Sequence, residues 1–171
     1  MTTDRWYHAD LTNWLPLDRG DIVCCDGWLV VEPDRRARVR PGSVTAKLRF
    51  SAEALAGTPS DNSPGTIVPV VCDLLSFASR RAVSFRTDED WWPPEHRHLA
   101  RGPNRRRGRV ESVAETQLLL DRALPTLLDP TMEWPTKLGT ALRWFLSSRM
   151  QHGISMRYVA LWIVLEMTAR A

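Results

Sequence analysis

The chain opens on short runs of period two and closes on longer runs of period 3.6, with a polar stretch between them. Residues 21–31, DIVCCDGWLVV, are rich in β-formers and broken by Asp26-Gly27, a turn dipeptide that predicts a hairpin. In RVRPGSVTAKLRF, Pro41-Gly42 separates two alternating pieces. In the second, Val44, Ala46, Leu48 and Phe50 face one way and Thr45, Lys47 and Arg49 the other, as in a half-buried strand. Residues 1–50 thus read as a small antiparallel β unit.

SAEALAGTPSDNSPG has the composition of a loop, with Pro59, Asp61, Asn62, Pro64 and Gly65 close together. Then Ile67, Val70, Val71, Leu74, Leu75 and Ala78 recur at helical spacing and predict a helix over about 66–79, with Pro69 tolerated near its first turn. AVSFRT predicts a strand. DEDWWPPEHRHLARGPNRRRGR, with its prolines and glycines, predicts an exposed loop.

From Glu111 onward the period is helical. Val113, Leu118, Leu119 and Ala123 lie on a helix that Pro125 ends or kinks. After the breaker DPTMEWP, a second stripe of Leu138, Ala141, Leu142, Phe145 and Leu146 stops near Gly153. A last helix starts near Ser155. The link around His152 to Ile154 is short, so these two helices are expected to pack as an antiparallel hairpin.

Composition narrows the class. With 171 residues, 43 % of them hydrophobic and eight of them tryptophan, the chain can bury a sizeable core and is neither fibrous nor disordered throughout. The net charge of +3 is concentrated: six arginines, Arg97, Arg101, Arg105, Arg106, Arg107 and Arg109, lie in a stretch without an acid, and setting them aside leaves −3. Guanidinium suits phosphate, so this run is a candidate RNA contact, with Trp91, Trp92 and His98 near enough to stack on bases. The alternative is a solvated loop. The longest apolar run, YVALWIVL, has eight residues where a bilayer needs about 20, so no membrane partner is expected.

Three cysteines, Cys24, Cys25 and Cys72, make an odd count, and MTTDRWYHAD carries no apolar leader, which points to a reducing cytoplasm. No C-x2-C or H-x3-5-H pair is present, so neither metal nor cofactor is expected. Cys72, between Val71 and Leu74, reads as core. Ser76, Ser147 and Ser148 lack the flanks of a nucleophile elbow, and there is no phosphate-cradling glycine loop.

Ala141, Leu142, Arg143, Trp144 and Phe145, followed by Arg157, Tyr158, Leu161, Trp162, Leu165 and Glu166, resemble the opening helices of the HEPN superfamily, in particular its Apea-like branch. The similarity covers about the last 50 residues, and DLLSFASRRAVSF is similar to the mixed α/β region that precedes the helical domain there. The resemblance implies a helical bundle and, in active members, a dimeric metal-independent RNase. In those members Arg-x4-6-His supplies phosphate stabilisation and proton transfer. None of the four histidines here has an arginine at that spacing. The chain is therefore expected to lack catalysis of its own, leaving as alternatives an RNA-binding module of a bacterial defence or toxin system, or an RNase with a different site.

The resemblance also places Glu166 near a dimer-facing cleft; read locally, it forms an i,i+4 pair with Arg170. Leu161, Trp162 and Leu165 are the candidate partner interface, for a second copy or a complementary helical chain. The fold class expected is α+β: an α/β region over residues 1–95 with one helix, an arginine-rich loop over 96–110, and a helical region over 111–171 that forms part of a HEPN-like bundle.

Overall fold

A computed structural model describes residues 5–16, 18–38, 43–53, 63–79, 83–87 and 112–129, together with Thr140, Ala141, Val159 and Trp162. Its architecture is α+β. Five strands, β1 (Trp6–Thr12), β2 (Ile22–Cys24), β3 (Leu29–Pro33), β4 (Val44–Ser51) and β5 (Ser84–Arg86), form one antiparallel sheet in the order β2-β3-β4-β1-β5. Two helices, α1 (Pro64–Ser79) and α2 (Val113–Leu127), complete the described elements. The expected hairpin of helices beyond residue 135 lies, apart from four residues, outside the described part.

The sheet has one apolar and one polar face, as alternation requires. Register puts Cys24, Leu29, Phe50 and Tyr7 in one row across the apolar face, and Ile22, Val31, Leu48 and Ala9 in the next. The opposite face carries Glu32, Lys47, Asp10 and Arg86 on four neighbouring strands, so each cross-strand pair joins opposite charges. There Arg49 bonds to Glu32 and its guanidinium lies 5.4 Å from the Trp6 ring centroid.

β1 has no counterpart in the elements anticipated from sequence, although Tyr7, Ala9 and Leu11 do alternate with His8, Asp10 and Thr12. A bulge interrupts its pairing with β4 at Leu11/Thr12. Beside it, the buried Thr45 hydroxyl accepts the Trp14 N–H at 3.0 Å. That bond answers for a polar residue held where no water reaches.

α1 packs against the apolar face through Ile67, Val68, Val71, Leu74 and Leu75, near the limits expected for it, and Cys72 is buried as predicted. Ser76 pins the helix to the next strand: its hydroxyl donates to the Cys72 carbonyl at 2.6 Å and accepts the Val83 N–H at 2.9 Å. Ser76→Ala takes away that acceptor inside the core. It is expected to lower stability by about 2 kcal/mol, read by urea denaturation. A loss below about 0.5 kcal/mol, no more than an ordinary surface substitution, would remove this role.

α2 begins at a capping box. Ser112 Oγ accepts the Glu115 N–H at 3.2 Å, the Glu115 carboxylate accepts the Ser112 N–H, and Asp18 accepts the Val113 N–H. The helix continues two residues past Pro125 and is capped where the Leu128 N–H meets the Leu124 carbonyl. Its inward face is set by packing, with Val113 and Ala123 also against the core. Thr116, Leu120 and Leu124 are buried, while Leu118 is 51 % exposed. Three consecutive leucines span more than half a helical turn, so local spacing leaves open which of them points inward; contact with β2 and α1 decides it. Leu120, Leu124 and Leu128 join the same core as the sheet.

Candidate functional site

The densest chemistry among the described residues lies where the β2–β3 hairpin meets α2. Cys24 ends β2 opposite Leu29, the first residue of β3, and four residues close the hairpin. The turn expected at Asp26-Gly27 is present, with Gly27 N–H donating to Cys24 O and Trp28 N–H to Cys25 O, each at 3.2 Å. Cys25, Asp26 and Gly27 all have left-handed backbone, at φ 56, 55 and 86. Glycine takes this conformation freely; a cysteine there is strained, roughly 1–2 kcal/mol.

That strain has a consequence for the thiols. Successive side chains of a regular strand point to opposite faces, which would put Cys24 and Cys25 on opposite sides of the sheet. The left-handed turn at Cys25 brings its thiol back beside that of Cys24, and both residues are buried, at 2 % and 9 % exposure. Asp121, 96 residues away on α2, holds the turn: its Oδ1 accepts the Cys25 N–H at 2.7 Å. The two sulfurs and a carboxylate oxygen of Asp121 all lie within 4.8 Å of one another.

The two thiols divide one proton unequally. Hydrogen bonding between the two thiols holds the Cys25 thiol below its ordinary range, against the opposing influence of burial, Asp121 and Asp26. The same bond drives Cys24 upward, reinforced by burial, by negative charge on Cys25 and by Asp121. Cys25 therefore ionises first. Burial, with Asp73 nearby, pushes the Cys72 thiol up and leaves it inert. What the corner offers is one favoured thiolate, a second thiol in contact with it, and a carboxylate already oriented by the backbone.

Sequence spacing contained no metal-ligand set, and nothing local points to Asp121 as a neighbour of the two cysteines. The adjacent pair Cys24-Cys25 was the half of the signal that could be read. The residues singled out from sequence lie mostly outside the described part. Arg97, Arg101, Arg105, Arg106, Arg107 and Arg109 lie outside the described residues, as do Leu161, Leu165 and Glu166. Trp162 is helical and 64 % exposed, and Val159, one turn earlier and also helical, is exposed too. Ala141, from the preceding predicted stripe, is helical and buried.

No described helix is long and apolar enough to cross a membrane. Comparison with protein-family models, with curated proteins and with solved structures finds no match.

Proposed function

We propose that the chain works by association, as a HEPN-like protein whose helical segment is completed by helices of a partner chain and which has no catalysis of its own. The observation that carries this reading is Trp162. It is a large aromatic on a helical residue, more than half in water, in the segment RYVALWIVLE that resembles the second helix of a HEPN bundle. Exposed Val159 lies one turn away, on the same side. Aromatic anchors of this kind supply most of the free energy of helix-to-helix contacts when they enter a partner's groove.

The partner expected is a helical chain containing Arg-x4-6-His, and the first place to look is the neighbouring reading frame. Co-expression should recover both chains together, and Trp162→Asp should weaken the complex by about thirtyfold or more, an effect of about 2 kcal/mol. A neighbour without the motif that also fails to co-purify overturns the reading. Light scattering of the chain alone distinguishes a homodimer, which would assign the same face to a second copy. If RNA is the partner instead, Arg105, Arg106 and Arg107 changed to alanine reduce binding and its salt dependence while Trp162→Asp does not.

A further inference from the structure

Independently of how the chain associates, we propose that Cys24, Cys25 and Asp121 form a binding site for a thiophilic divalent cation of the zinc class, clamping the β2–β3 hairpin to α2. Three observations carry the site. The first is the backbone. A strand with adjacent cysteines separates their sulfurs, and only the left-handed conformation at Cys25 puts both on one side. Strain at a non-glycine residue persists where the surroundings impose it, and such residues concentrate at ligand clamps.

The second observation is how the carboxylate is held. One oxygen of Asp121 accepts the Cys25 N–H at 2.7 Å, which orients the group and leaves the other oxygen for a ligand. This is the arrangement that supports metal-binding side chains generally, a hydrogen bond to the atom that does not ligate. An exposed carboxylate on α2 is otherwise free to turn away; here the hydrogen bond from Cys25 holds a carboxylate oxygen within 4.8 Å of both sulfurs.

The third is the donor set and its spacing. A tetrahedral zinc with Zn–S near 2.3 Å holds its sulfurs about 3.8 Å apart. The three donor atoms already lie within 4.8 Å of one another, so a closure of at most about 1.3 Å gathers them. Two sulfurs exclude magnesium and calcium, and the carboxylate favours a borderline cation such as zinc over copper(I). Three protein ligands leave the fourth tetrahedral position to water or to Asp26, the exposed neighbour whose charge reaches Cys25.

Since the ligands come from positions 24, 25 and 121, a bound ion joins segments far apart in sequence and stabilises the folded chain. The test uses the full chain, reduced and stripped of metal. Titration with cadmium should give the ultraviolet thiolate-to-cadmium charge-transfer band and saturate at one equivalent. Zinc should displace the cadmium, and zinc in hundredfold excess over its Kd should raise the thermal midpoint by roughly 8 °C.

Asp121→Asn keeps an oxygen for the Cys25 N–H while removing the charge, and should lower affinity at least tenfold with unchanged circular dichroism. Cys25→Ser and Cys24→Ala should each abolish the band, whereas Cys72→Ala should retain it. The site is overturned if the wild-type chain gives no band at one equivalent, if Asp121→Asn binds as tightly as wild type, or if loss of Cys72 removes the signal. Cadmium that zinc does not displace overturns the zinc class. Should Cys24→Ala fail to fold, the Asp121→Asn affinity decides alone.

Discussion

Phe50→Ala is expected to lower the free energy of unfolding by about 4 kcal/mol, a large share of the roughly 5–15 kcal/mol that holds a domain together. Phe50 has no exposed surface and sits in the middle of the apolar row, with Leu29 on β3 and Tyr7 on β1 as its cross-strand neighbours. Its ring stacks on Tyr7 with centroids 5.5 Å apart and planes 28° from parallel. Truncation removes the transfer free energy of a whole ring and leaves a cavity between three strands. Those strands hold one another in register and cannot collapse far into it. Equilibrium urea denaturation followed by tryptophan fluorescence measures the change. An unchanged slope with a lower midpoint is the expected form, and a loss under about 1.5 kcal/mol would mean that Phe50 is not at the centre of this core.

The second large effect is a contrast within one run of leucines. Leu120→Ala is expected to destabilise the chain by about 3 kcal/mol, while Leu118→Ala changes stability by about 0.5 kcal/mol or less. Leu120 is fully buried against the sheet and α1, and half of Leu118 is in water. Both substitutions make the same chemical change on the same helix with nearly equal helix propensity, so the difference reports burial alone. The same denaturation measurement decides it. Equal losses, or a larger loss at Leu118, would refute the packing of α2 described above.

These two substitutions show where local pattern suffices and where it does not. The strand carrying Phe50 was legible because eight residues alternate without interruption, and a one-residue slip would turn all four apolar side chains to water. The β2–β3 hairpin was legible from Asp26-Gly27 between two apolar runs, and α1 from six apolar residues at helical spacing. β1 carries the alternation too, but Trp6 on the polar face and a single alanine among the inward residues blur it. Its place between β4 and β5 depends on pairings with segments about 40 and 75 residues away.

The thiol corner marks the limit most clearly. The two cysteines and the turn after them are visible in the sequence. The left-handed backbone at Cys25 is not, because ordinary strand geometry would have turned its thiol away from Cys24. Asp121 is one acid on a helix whose inward face local spacing leaves open, and rotating that face also moves Asp121 relative to the hairpin.

By itself, then, the sequence determined the period of each segment, the position of the main turn and the concentration of positive charge in one run. Those properties follow from contacts between residues one to four positions apart. Only the tertiary structure decided which leucine of α2 faces inward and which carboxylate stands beside Cys24 and Cys25. A helix can rotate about its axis with no change in its local hydrogen bonds, and its orientation is settled by the surface it packs against.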